Sequence, residues 1–181
     1  MDFEKATLDD LHKYLISIGK VDERLPECPD LEEMWPQVLE GYLPDGIREF
    51  QEYPVTSLGW IMYIGMALAR RWDTDWENAS KQGGRSLYET MRDEKGYDNL
   101  DDNILLNLLG LDEKEAEEVA KNVGECASRT LGALQRSHIE AATEAAAKAY
   151  VGALHALYTM GVAYELNALG YHMTPLNISP K

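Results

Sequence analysis

Cysteine is scarce in this chain, which contains only Cys28 and Cys126 among its 181 residues. The two lie far apart in sequence, and neither belongs to a C-x-x-C pair. This usage argues against a disulfide framework and against a zinc-binding cysteine cluster. We therefore expect two unpaired thiols and a reducing, cytoplasmic compartment.

Basic residues are also few: 17 lysines and arginines stand against 32 aspartates and glutamates, for a net charge of −15. Such a charge repels phosphate backbones and anionic lipid, so we expect neither nucleic acid nor a membrane surface as a partner. A basic protein is the partner that this charge would attract. An acidic surface is also typical of soluble bacterial proteins, in which like charge keeps the molecules from associating.

Long hydrophobic runs are missing as well. Two segments carry no charged residue, 54–69 (PVTSLGWIMYIGMALA) and 149–164 (AYVGALHALYTMGVAY), but both are shorter than the ~20 residues that a membrane span needs. The amino-terminal sequence, MDFEKATLDD, has no apolar core of a signal peptide, which again favours the cytoplasm. A helix that is apolar on all sides belongs in the interior of a domain.

Strand patterns, internal repeats and low-complexity linkers are absent from the sequence, and helical periodicity runs through it. The pattern predicts an all-α, single-domain helical bundle of about seven or eight helices around the two apolar segments as central helices. We place this domain at residues 1–172 and a carboxy-terminal tail at 173–181. Glycines in the central segments, among them Gly65 and Gly161, indicate either close backbone approach or room for a ligand.

Local signals divide the chain into its elements. Pro44-Asp45-Gly46 predicts a turn, after which a short helix should carry Ile47, Phe50 and Tyr53 on its inner side. Residues 73–85 predict a connector after the first central helix. Asp112 and Glu115 predict a capping box that begins a long helix, and a hinge at 137–138 should lead into a last helix from about residue 139.

Sequence motifs for chemistry are missing. The chain has no Gly-x-Ser-x-Gly elbow, no dinucleotide or Walker fingerprint and no Glu-x-x-His pair of a bundle di-iron site. The acidic stretch from Asp73 fails as an EF-hand, because Asn78 and Gly84 occupy the places of the required glycine and glutamate. We expect no metal and no cofactor.

His155 is the most interesting single residue, because it is an ionisable ring within a helix otherwise free of polar groups except hydroxyls. If the central helices lie side by side, helical spacing brings a candidate pocket together from His155, Tyr158, Glu165, Tyr63 and Arg70. Burial and neighbouring charges shift proton affinities in such a cluster, so it could move protons. The structural alternative is a histidine that is hydrogen-bonded within the core, with Tyr63, Tyr158 or Glu165 as its partner.

A second candidate, a patch for a partner, lies at the end of the first central helix. Arg71, Trp72 and Trp76 combine a cation with two amphipathic rings, the composition of many ligand and partner surfaces. Overall the sequence favours a helical interaction or scaffold protein without catalysis and able to self-associate. Two alternatives stay open: a small-molecule-binding protein or enzyme with a pocket around His155, and an acidic inhibitor of the immunity-protein kind with a basic partner.

Overall fold

The computed structural model describes residues 2–172, and within that range the chain is helical, with no strand. Seven α-helices pack into a single-domain bundle, which confirms the predicted fold class. Their bounds in chain order are α1 Phe3–Ser17, α2 Pro29–Glu52, α3 Pro54–Gln82, α4 Gly84–Lys95, α5 Leu100–Asp102, α6 Glu113–Arg136 and α7 Glu144–Ala168. The predicted tail, 173–181, lies outside the described residues.

The two apolar segments form the centre, as predicted. They lie on α3 and α7, the two helices with the most extensive mutual contact in the bundle. A Cβ atom added to Gly65 would stand 2.5 Å from the carbonyl oxygen of Tyr158, and one added to Gly161 would collide with the carbonyl oxygen of Met62. The glycines therefore serve close backbone approach and leave no room for a ligand between these helices.

The predicted turn at 44–46 is wrong, since α2 continues through it to Glu52. Pro36 and Pro44 both lie inside α2, where each removes one backbone hydrogen bond. Both prolines are on the exposed side of the helix, so water can satisfy the carbonyl oxygens that they leave free. Solvation on one side and burial on the other let the helix persist through residues that usually end one.

The predicted connector at 73–85 is also wrong for most of its length. Helix α3 runs to Gln82 and bends at Asp75, whose backbone has non-helical angles, and Gly83 then ends it with a φ of 85°. The apolar periodicity stops near residue 72 because the helix leaves the core there, not because it ends. Ala79 alone of the last two turns is fully buried.

The last helix begins five residues later than predicted, at Glu144, because Thr143 caps it and accepts a hydrogen bond from the Ala146 amide at 3.1 Å. Residues 137–143 thus form a connection between α6 and α7, which we call the strap. His138 and Ala142 have φ angles of 56° and 61°, in the left-handed region that side chains with a Cβ seldom adopt. The Asp112–Glu115 capping box at the start of α6 is confirmed.

Buried hydroxyl groups join α2, α3 and α7. The Ser57 Oγ donates to the carbonyl oxygen of Gly46 at 2.7 Å and lies 2.6 Å from the Tyr150 hydroxyl. The Tyr42 hydroxyl donates to the carbonyl oxygen of Ser57 at 2.6 Å. Because these groups are buried, they must bond to one another, and these bonds fix the start of α3 against the middle of α2.

Candidate functional site

His155 lies on the side of α7 that faces α1 and α2, away from α3. Its Nδ1 is 2.7 Å from Glu4 Oε1 and its Nε2 is 2.6 Å from Glu32 Oε1. Its ring also stacks on Trp35, with centroids 5.0 Å apart and planes 15° apart. The histidine is hydrogen-bonded, but to two carboxylates of other helices and not to Tyr63, Tyr158 or Glu165.

Tyr158 is the one predicted pocket residue that lies close to His155, because both rings contact Trp35. The Tyr158 and Trp35 centroids are 4.8 Å apart, and the Tyr158 hydroxyl donates to the carbonyl oxygen of Leu31 at 2.8 Å. Burial raises the pKa of Tyr158 well above its ordinary value. This phenol is therefore a neutral, fully bonded anchor between α7 and α2.

Arg70 and Glu165 form a second, separate site at the far end of the central helices. Arg70 Nε lies 3.4 Å from Glu165 Oε2, and Arg70 Nη2 donates to the carbonyl oxygen of Leu109 at 3.0 Å. Burial raises the pKa of Glu165 from 4.5 to about 7, and the charge of Arg70 offsets only part of that shift. Arg70 thus ties α3 to α7 and to the end of a π-helical turn at 103–108.

Tyr63 belongs to neither group. It is a buried residue of α3 whose pKa is raised by burial and then by the negative charges of Asp101 and Asp102 on α5. The five predicted pocket residues therefore occupy three places. A groove of about 410 Å³ is lined by Glu32 and another of about 630 Å³ by Glu4, but His155 itself lines neither.

The predicted partner patch is partly held to the body of the protein. Trp72 is half-buried, and its Nε1 donates to Asp30 Oδ2 at 3.0 Å while its ring meets the edge of Tyr171 at 5.5 Å. Trp76 is half-buried against the core. Arg71 keeps its Nε buried and without a hydrogen-bond partner among the described residues. These side chains fix the bent end of α3 and do not protrude.

A surface that the sequence did not indicate lies where α2, α3, α6 and α7 meet the strap. It is a groove of about 360 Å³, which we call the Phe50–Ile139 groove. Its lining is almost wholly apolar: Phe50, Pro54, Leu131, Leu134, Gln135, Ser137, Ile139, Ala141, Ala146, Ala149 and Tyr150. A volume of this size lies within the range of known ligand grooves.

Exposed apolar side chains adjoin this groove. Tyr53 is 61% exposed, Ile47 is 45% exposed and Val55 is 38% exposed. Ile47 precedes Phe50 by one helical turn on the same side of α2, so it extends the apolar surface of the groove. The prediction that Ile47 and Tyr53 face inward is wrong: of that stripe only Phe50 is partly covered, by the edge of the Tyr150 ring at 5.0 Å.

Ile139 of the strap is shared by three concavities. Besides the Phe50–Ile139 groove, it lines one of about 630 Å³ against α7 and one of about 590 Å³ against α6. Phe3 of α1 lines both of the latter. The strap therefore lies across a region where five helices, α1, α2, α3, α6 and α7, leave surface unfilled.

Within residues 2–172, no group of histidine, cysteine, aspartate and glutamate side chains is arranged to hold a metal ion. Cys28 and Cys126 are both unpaired, as predicted. Burial raises the pKa of the Cys126 thiol to about 12, so it is not a thiolate nucleophile at neutral pH. In the same range, no helix combines the length and the apolar character needed to cross a bilayer.

No protein-family model, curated protein or solved structure matches the chain. Any function must therefore rest on the geometry and chemistry of the surfaces described above.

Proposed function

We propose that this chain is a helical interaction protein whose Phe50–Ile139 groove binds the apolar side of a basic, amphipathic segment of another protein. The observation that carries the proposal is the open apolar groove with Tyr53, Ile47 and Val55 exposed beside it. Helix-in-groove recognition uses such a surface, into which apolar residues at helical spacing insert.

The walls of the groove are preorganised. Tyr150 forms one wall, and its hydroxyl is fixed by Ser57, which in turn bonds to the backbone of α2 at Gly46. The Phe50 and Tyr150 rings pack against each other at an interplanar angle of 62°. A rigid wall loses little conformational entropy when a partner binds, so more of the contact energy appears as affinity.

The charges that border the groove favour a cationic partner. Glu49 and Glu52 flank Phe50 in sequence, and Glu140 and Glu144 lie in and just after the strap. Burial and the like charges of Asp98 and Glu52 raise the pKa of Glu49. A cation bound nearby would favour the ionised form of this carboxyl group and lower its pKa again.

The neighbouring cations leave these carboxylates only partly compensated. Arg48 bonds to Asp45 at 3.0 Å and offsets only part of the raised pKa of Glu49, whereas Arg136 and Lys148 line the two other concavities at Ile139. The net charge of −15 adds long-range attraction for a basic segment.

The same charge disfavours the alternative of self-association through this groove. A second copy would bring another net charge of −15 and its own Glu49 and Glu52 against the first. Like charges placed face to face across an interface cost several kcal/mol, on the order of what a small apolar contact supplies. A pocket around His155 has less support, because the ring lines neither of the grooves that Glu4 and Glu32 line, and both of its nitrogens are engaged by these carboxylates.

The proposal is tested by calorimetry with a synthetic helical peptide of about 18 residues, which has leucine on one side and lysine on the other. Two matched peptides are controls: one with glutamate in place of lysine, and one with the same composition in scrambled order. We expect the lysine peptide to bind, the scrambled peptide to bind at least about tenfold more weakly, and the glutamate peptide not to bind.

Variants locate the binding site. Tyr53→Lys and Ala141→Lys place a cation at two exposed positions beside or within the groove, and Leu106→Lys makes the same kind of change at an exposed apolar residue outside it. We expect the first two to weaken the lysine peptide at least about tenfold and the third to leave it unchanged. Equal affinity of all three variants would contradict the proposal, as would a concentration-dependent dimer whose formation excludes the peptide.

A further inference from the structure

His155 joins three helices through a single side chain. The ring stands on α7, its Nδ1 meets Glu4 of α1 and its Nε2 meets Glu32 of α2. Trp35 covers one of its faces. Among the described residues, neither glutamate has another cationic partner, so the histidine is the shared counter-ion of both.

The two hydrogen bonds determine how many protons the His155 ring must carry. An ionised carboxylate can only accept a hydrogen bond, and a neutral imidazole carries a single N–H. A neutral ring could therefore donate to Glu4 or to Glu32 but would turn a lone pair toward the other carboxylate at less than 3 Å. Only the imidazolium, with an N–H at both nitrogens, can donate to both at once.

From this geometry we propose that Glu4, His155 and Glu32 form a proton-operated clip, which holds the first turns of α1 on α7 and α2 while His155 is protonated. Loss of the proton breaks one of the two bonds and leaves two carboxylates beside a neutral ring. The contact is complete while both ring nitrogens carry a proton, and it weakens when rising pH removes one of them.

Among the described residues, no lysine or arginine forms an ion pair with Glu4 or Glu32 in place of His155. On α1, Asp2 is engaged as the helix cap and accepts from the Glu4 amide at 3.1 Å. On the α2 side, burial raises the pKa of Cys28 and of Tyr158, which keeps both neutral. The acids there are Glu27, which lines the same groove as Glu32, and Asp30, which accepts from Trp72 Nε1. Lys148, the closest cation before His155 on α7, lies two helical turns away.

Gly152 indicates that the contact is built into the packing. A Cβ atom at this position of α7 would lie 3.2 Å from the Cβ of Glu4, so the glycine lets the Glu4 side chain lie against α7 on its way to the ring. Farther along α1, Leu11 and Leu15 are fully buried and hold the helix independently of charge. Opening of the clip therefore frees the first turns of α1, including Phe3, which lines two of the concavities at Ile139.

The proposal is tested by amide hydrogen exchange of the full chain between about pH 5 and about pH 8, corrected for the intrinsic exchange rates. We expect protection of the Ala6 and Thr7 amides to fall roughly tenfold as the pH rises, as for loss of one charge-assisted hydrogen bond. The Leu15 amide, at the apolar end of α1, is the internal reference and should keep its protection.

His155→Gln should show the lower protection at every pH, with no pH dependence, and His138→Gln is the matched control on an exposed histidine. Glu4→Gln leaves the His155–Glu32 bond in place and is the replacement variant if His155→Gln does not fold. In Glu4→Gln, too, the protection of Ala6 and Thr7 should lose most of its pH dependence. Protection of Ala6 and Thr7 that is constant with pH in the wild type would overturn the proposal. An undiminished pH dependence in His155→Gln or Glu4→Gln would also overturn it.

Discussion

The contact between α3 and α7 is closely packed, whereas the surface around Ile139 is left open. Between the central helices, Gly65 and Gly161 remove every side-chain atom that would hold the backbones apart. Around Ile139, five helices and the strap leave three concavities, one of them almost wholly apolar. Helix α7 contributes to both regions.

The difference separates what holds the fold from what is left for a partner. A close backbone contact cannot accept a ligand without being pushed apart, because protein interiors are packed to the density of organic crystals. An apolar surface that the fold leaves open is available for binding and costs free energy while it faces water. Predictions about the two regions should therefore differ in kind.

The largest effect is expected from Gly161→Leu, which places a side chain where even a Cβ atom meets the Met62 carbonyl group. The two backbones must then separate, and we expect a loss of about 3 kcal/mol or more in the free energy of unfolding, measured by urea denaturation. Gly124→Ala is the matched control, because a Cβ atom there meets nothing within 4 Å. It should stabilise the protein by about 0.5–1 kcal/mol. Wild-type stability of Gly161→Leu would mean that the central contact is looser than described.

Glu165→Gln tests the buried carboxyl group that lies on α7 one turn beyond Gly161. Because burial raises the pKa of Glu165 to about 7, the folded state holds its proton more tightly than the unfolded state. The glutamate therefore costs stability that grows as the pH rises from about 4.5 to about 7 and persists above that value.

We expect Glu165→Gln to match the wild type near about pH 5 and to be more stable by about 1–3 kcal/mol near about pH 8. Glu117→Gln, at an exposed position of α6, is the control and should show no such divergence. A constant difference between Glu165→Gln and the wild type across this pH range would rule out the assigned burial effect.

The smallest effect concerns the strap. Ala142 has a left-handed backbone, which costs roughly 1–2 kcal/mol in a residue with a Cβ atom. Glycine relieves this strain, but it also makes the unfolded chain more flexible, which offsets part of the gain. We therefore expect Ala142→Gly to stabilise the protein by about 0.5–1 kcal/mol in thermal or urea denaturation. Ala141→Gly has no such strain to relieve and should destabilise slightly. The same sign for both variants would show that the strap is not strained at Ala142.

The sequence was sufficient for the interior because burial leaves a local signature. Absence of charge over 54–69 and 149–164, with glycines at helical spacing, predicted the central pair, and the Asp112–Glu115 spacing predicted the start of α6. Element ends were harder to predict. Past Trp72 the periodicity fades because α3 leaves the core although its backbone continues, and at 44–46 the turn signal was misleading because α2 stays buried on one side and continues.

The partners of charged side chains could not be predicted, because they depend on tertiary register. Glu4 and Glu32 lie more than a hundred residues from His155, and nothing local distinguishes them from the other acidic residues. The Phe50–Ile139 groove was missed for the same reason. Its lining comes from five separate segments, and the one local signal, the stripe of Ile47, Phe50 and Tyr53, was interpreted as an inward face.

The most direct test of the open region is methyl NMR of the isoleucine-labelled protein, titrated with the lysine-leucine peptide. Ile139 lines the groove and Ile47 adjoins it, whereas Ile61 and Ile64 are fully buried on α3 and do not line the groove. We predict that the methyl signals of Ile139 and Ile47 shift on binding while those of Ile61 and Ile64 stay in place. Shifts confined to Ile61 and Ile64, or a peptide that binds without moving Ile139, would contradict the assignment of this groove as the binding surface.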